Sequence, residues 1–187
     1  MGPYRDYDAL ARYRPGARRP RPRFAVLVLG FGAAYAALLL LYVEASSGPL
    51  RSLIVDTLTV KPAAYLISLL DPGAGVHAEG HALAWPGGRL SVLNGCDGAE
   101  TIILVACAML VADLRPVARI AGVLVGAGLV YALNQARLVT LYALFRSGSD
   151  WFDPAHVALA PLALIGAVGA FYLYWTARLR RPRDARA

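Results

Sequence analysis

Residues 24–43 read FAVLVLGFGAAYAALLLLYV, a run without a single charge. The hydrocarbon of a bilayer takes about 20 helical residues to cross, so this run predicts a spanning helix. It is too long for the apolar region of a cleavable leader and lacks a convincing A-x-A site, so it reads as a retained span. The whole chain agrees. It has 187 residues, of which 58% are hydrophobic and 17% charged, with a mean hydropathy of +0.50. A soluble domain of this length does not need so apolar a composition.

Working outward from this run, three further apolar stretches predict spans at Cys96–Ala112, Ile120–Phe145 and Ala155–Trp175. The first of these is short and carries Asp97 and Glu100 at its start, and the second is interrupted by Asn134 and Arg137. Tyr42, Trp151, Tyr172, Tyr174 and Trp175 fall near span ends, where amphipathic rings favour the interface. In residues 50–71, Leu50, Leu53, Ile54, Thr57 and Leu58 recur at helical spacing and Pro62 breaks the pattern, predicting two short helices in the outer interface. A re-entrant hairpin is the alternative. Residues 72–95 are rich in Gly and Pro, and HALAW and RLSVL within them alternate like two short strands. The expected fold is all-α, a polytopic membrane bundle of about four spanning helices with interfacial helices and a short outer β-like loop. A basic tail over 1–23, a membrane-embedded domain over 24–176 and a second basic tail over 177–187 complete it.

Charge orients the bundle. Of the 19 cations, 14 precede the first span, lie at Arg115 and Arg119, or follow the last span. The positive-inside rule then puts both termini in the cytoplasm of the cell (inner) membrane. The net charge of +7 is accounted for by arginines flanking apolar runs, which suits the lipid bilayer rather than nucleic acid. Two cysteines make no disulfide framework, and no Cys/His cluster suggests a metal.

Chemistry is expected from polar groups that are costly at membrane depth. In NGCDGAET, Asp97 and Glu100 have the spacing of a capping box, which puts Cys96 at a helix start where the macrodipole stabilises a thiolate. Asp97 adds a negative charge that a nearby cation would offset. Asn134 and Arg137, three apart, share a helix face. Asp153 before Pro154 is a helix N-cap that sets His156 in the first turn. Measured from the opposite side, Arg137 is about 27 Å along its span and Cys96 about 26 Å along its own. His156 starts the last span at that outer level. Cysteine supplies a nucleophile, histidine proton transfer and arginine charge stabilisation. Cys107 reads as packing, and His77 and His81 lie in the outer loop within reach of such a site.

These motifs, Asn94-Gly-Cys96-Asp-Gly98, Asn134-x-x-Arg137 and Asp153-x-x-His156, resemble those of the exosortase/archaeosortase family of integral-membrane cysteine transpeptidases, most like the exosortase H type. The resemblance covers about residues 90–175; Asp97 stands where that family usually has a small hydroxyl residue. It implies catalytic Cys96, Arg137 and His156, with Asn94, Asn134 and Asp153 in support, and no metal or organic cofactor. It also implies membrane-anchored substrate proteins ending in a recognition motif, one membrane helix and a basic cluster, cleaved at the outer (periplasmic) face and passed to an acceptor. Two other classes compete. A thiol oxidoreductase needs paired cysteines, whereas Cys96 and Cys107 lie about three turns apart on one predicted helix. A non-enzymatic membrane assembly or transport subunit would use the small-residue pattern Gly122-x-x-x-Gly126 for helix association.

Overall fold

The computed structural model describes residues 22–45, 48–93 and 95–179. These form five helices, α1 (Pro22–Ala45), α2 (Pro49–Leu70), α3 (Ala99–Val111), α4 (Pro116–Arg146) and α5 (Phe152–Leu179), with a three-stranded sheet between α2 and α3. Four of the helices, α1, α2, α4 and α5, are long and apolar enough to cross a membrane. α1 exposes Leu27, Val28, Leu29, Leu38, Leu40 and Leu41 around its surface, a distribution stable in hydrocarbon and costly in water.

Two expectations about these helices are corrected. Cys96–Ala112 is not a helix of spanning length, because α3 has 13 residues and is about 20 Å long. Gly95 and Gly98 both adopt positive φ, which delays the helix until Ala99, and Pro116 begins the next helix after a tight turn. Residues 50–71, in turn, do not form two helices. α2 runs unbroken through Pro62 because Ser52–Val60 is wound as a wide π-helix ending just before it. The change of hydrogen-bond register therefore falls where proline has no N–H to give. Its buried face is Val55, Thr59, Val60, Ala63, Ala64 and Ile67, while Leu50, Leu53 and Leu58 stay exposed.

The two expected outer strands are present as β2 (Ala82–Trp85) and β3 (Gly88–Ser91), and a third that the sequence reading did not include, β1 (His77–Glu79), joins them in an antiparallel meander, with Leu83 opposite Leu90 and Trp85 opposite Gly88. Pro86 and Gly87, with φ +91 at Gly87, fit the two central positions of a type II turn. Leu83 is fully buried against α2 and against Leu138 and Tyr142 of α4. Trp85 meets Tyr142 edge-on at 5.1 Å. Arg146, ending α4, donates to Asp71 and to the Tyr142 hydroxyl, each at 2.8 Å. The α2 helix and the sheet thus cap the C-terminal third of α4.

A second core joins α3, α4 and α5 through Val105, Met109, Val130, Leu164 and Val168. Gly122 and Gly126 permit its close approach. A Cβ on Gly126 would lie 2.5 Å from Val105 Cγ1 and 2.9 Å from Phe171, and one on Gly122 would lie 2.8 Å from Trp175 and 2.9 Å from Met109.

Candidate active site

Cys96 sits in a turn built by its glycine neighbours. Its N–H donates to the Leu93 carbonyl at 3.0 Å, and the chain leaves the turn through Gly98 at φ +82, the residue that starts α3. An alanine at position 98 would be strained and would press a methyl to 3.2 Å from Asn134 Cγ. The capping box is not formed. Asp97 instead accepts the Ala99 N–H at 3.0 Å, two residues on, and accepts the Tyr42 hydroxyl with its other oxygen. Asp97 is 7% exposed, so both partners matter: they satisfy a carboxylate that would otherwise be buried alone.

α4 brings two groups to this turn. Arg137 Nη2 donates to Cys96 Sγ at 3.8 Å, within the longer range proper to sulfur, and Asn134 Nδ2 donates to the Cys96 carbonyl at 3.1 Å. One turn of helix separates them, so a rigid element holds both ends of the cysteine residue. The cation expected near Cys96 is Arg137. Several polar atoms here are buried without a partner: Asn134 Oδ1, Arg137 Nε, and both amide atoms of Gln135, a residue only 5% exposed.

His156 reaches this end of the bundle from α5 but is not hydrogen-bonded to Cys96 or Arg137. Its Nδ1 is buried and unpartnered, and its ring stacks on Phe152 at 5.7 Å. It lies in a π-helical stretch, Ala155–Leu159, between Pro154 and Pro161, two residues that lack an N–H for the ordinary helical ladder. Asp153 is not the N-cap, since the helix begins at Phe152 after Trp151; Asp153 is exposed and makes no bond to His156 Nδ1. Asn94 lies outside the described residues. Cys107 is buried within α3. His77 and the backbone of His81 are engaged locally in the sheet, to the Gly75 carbonyl and the Val92 N–H.

Three hollows adjoin the turn or Arg137. One crevice of about 200 Å³ is lined by Gly95, Gly98, Glu100, Thr101 and Arg137 and is walled by α5 at Pro161 and Leu164. A second, also about 200 Å³, is apolar and lies between α4 and α5, with Arg137 facing Ala155, Ala160 and Ala163. A larger groove of about 470 Å³ runs from Asp97 and Tyr42 between Ile54, Leu58, Ile102 and Tyr131.

Sequence reasoning misses Tyr42 as the partner of Asp97, because an aromatic at a span end reads as an interface anchor; the one signal for it is an acid, Asp97, on another predicted span at the same depth. No protein-family model, no curated protein and no solved structure matches the chain.

Proposed function

We propose that this chain is a membrane-embedded cysteine transpeptidase that cleaves C-terminal sorting signals at the outer membrane face. The observation that carries this reading is the contact of the Arg137 guanidinium with the Cys96 sulfur, made across two helices and braced by Asn134 on the cysteine's own carbonyl. A guanidinium in contact with the sulfur lies where charge moves during the attack, and its planar fork has further donors for an oxyanion. One Arg137 atom, Nε, is buried and still unpartnered.

In this mechanism Cys96 attacks the scissile carbonyl and Arg137 steadies the developing oxyanion. His156 protonates the leaving amine and the membrane tail departs. The acyl-enzyme then passes to an acceptor amine or water. His156 keeps its buried Nδ1 unpartnered at this end of the bundle, and catalytic hydrogen bonds commonly tighten only around a bound substrate. A scaffold role finds less support, since Gly122 and Gly126 are already covered by Met109, Val105, Phe171 and Trp175 of the same chain.

The same reading sets the topology. Tyr42 bonded to Asp97 puts the end of α1 level with the start of α3, and Asp71 bonded to Arg146 puts the end of α2 beside the end of α4. Both ends of α2 then lie on one side, and α2 with the sheet forms an outer cap above α1, α4 and α5. The arginine distribution supports the orientation we propose, with that cap outside and the termini in the cytoplasm.

Co-expression with a protein carrying a recognition motif, one membrane helix and a basic cluster, followed by mass spectrometry of the tail, tests the activity. Tail release that requires Cys96 is expected. An intact tail at full expression of both partners overturns the proposal.

A further inference from the structure

Glu100 has no place in the cleavage chemistry, yet it faces the same crevice as Arg137. It is half-buried in the first turn of α3, close to Gly95: a Cβ on that glycine would lie 3.7 Å from its carboxylate. No hydrogen bond or ion pair joins it to a described side chain, whereas Asp71 is paired with Arg146. A helix N-terminus favours an acid electrostatically, and an exposed side chain would meet that need equally well. Here the carboxylate instead lines a hollow whose far wall, Pro161, Leu164 and Ile165, belongs to another helix.

We propose that this crevice seats the acceptor amine and that Glu100 recognises and deprotonates it. The inference rests on the transpeptidase reading and names the chemical class of its second substrate, a primary alkylammonium. At about 200 Å³ the crevice has room for an aminomethyl head and a few atoms more, given roughly 30 Å³ for one liquid water. Gly95 and Gly98 present no side chain, so an amine can approach the cysteine turn closely. Arg137 faces the same hollow, but its guanidinium is directed at the sulfur, which leaves Glu100 as the one anion lining the amine's path. An anionic acceptor would be repelled by Glu100, and water needs no such counter-charge.

The step balances as follows in bonds and protons. The docked ammonium gives one proton to the Glu100 carboxylate, and the neutral nitrogen adds to the Cys96 thioester carbonyl. The C–N bond forms, the C–S bond breaks and the sulfur leaves as thiolate. The nitrogen releases a second proton to solvent, and the proton on Glu100 passes to the sulfur. Thioester and ammonium thus become amide, thiol and one proton.

The test uses membranes holding the full-length protein and a tripartite-tail substrate, with methylamine as the acceptor probe. Mass spectrometry reads both the released tail and the ratio of methylamide to free acid at the new C-terminus. Glu100→Gln is expected to keep first-turnover tail release, the acylation step alone, within about twofold while the ratio falls at least about tenfold, with Glu100→Asp intermediate. Hydroxylamine, largely unprotonated at neutral pH, should still trap the acyl-enzyme in Glu100→Gln, which distinguishes a lost base from a misfolded protein. An unchanged ratio, or tail release and amide falling together with hydroxylamine trapping, overturns the role of Glu100 alone. No tail release by the parent protein overturns the transpeptidase reading and this one with it.

Discussion

α4 passes through two environments that differ in how completely they are satisfied. Its first half packs glycine against Val105, Met109, Phe171 and Trp175, and the one indole N–H there donates to the Ala118 carbonyl at 3.0 Å. Its second half carries Asn134, Gln135 and Arg137, which with His156 hold five of the six buried, unpartnered side-chain polar atoms among the described residues; Arg119 Nε is the sixth. A buried donor or acceptor left open costs about 1–3 kcal/mol. One half of the helix is thus arranged for stability. The other keeps open hydrogen-bonding capacity where Cys96 lies, as expected of a site that a polar substrate completes.

Four measurements break or sharpen that contrast. Cys96→Ala should reduce tail release to background, with Cys107→Ala active; comparable losses in the two variants would remove the distinction between site and packing. Arg137→Lys should lose about 10²–10³ in processing, nearly as much as Arg137→Ala, because a point charge does not replace a planar fork. Near-normal processing by the lysine variant, at matched protein levels, would mean that Arg137 only reaches for headgroups. In the packed half, Gly126→Ala should cost about 1–3 kcal/mol, read as a lower unfolding midpoint in detergent, since its methyl has 2.5 Å to Val105 Cγ1. In the open half the sign should reverse. Gln135→Met should leave stability unchanged or raise it by about 1 kcal/mol, because both amide atoms are buried without partners. A large destabilisation by that variant would show that Gln135 is already satisfied, and the contrast would fail.

How much of this was legible follows from the range of each signal. The hydropathy of α1, α4 and α5 reads directly, as does the alternation of β2 and β3, because both are local periodicities. The meeting of Cys96 with Arg137 was legible as equal depth along two helices, though the ruler assumed a helix from Cys96 that begins only at Ala99. The roles of Asp97 and Asp153 were misread. Capping patterns describe one segment, whereas Asp97 is held partly by Tyr42, 55 positions away, and the helix at Asp153 starts a residue before it. The unbroken α2 was hidden because proline is a helix breaker only in the ordinary register, and the π-wound turns before Pro62 change that register.

The brevity of α3 is absorbed by its neighbours. α4 has 31 residues and is about 46 Å long, while α3 has 13 and is about 20 Å, against roughly 30 Å of hydrocarbon. α3 is enclosed by α1, α4 and α5, and nearly all of its residues are buried or half-buried. Its shortfall of about 10 Å against the hydrocarbon is therefore carried inside the bundle, where the longer helices meet the acyl chains, and not in the leaflet.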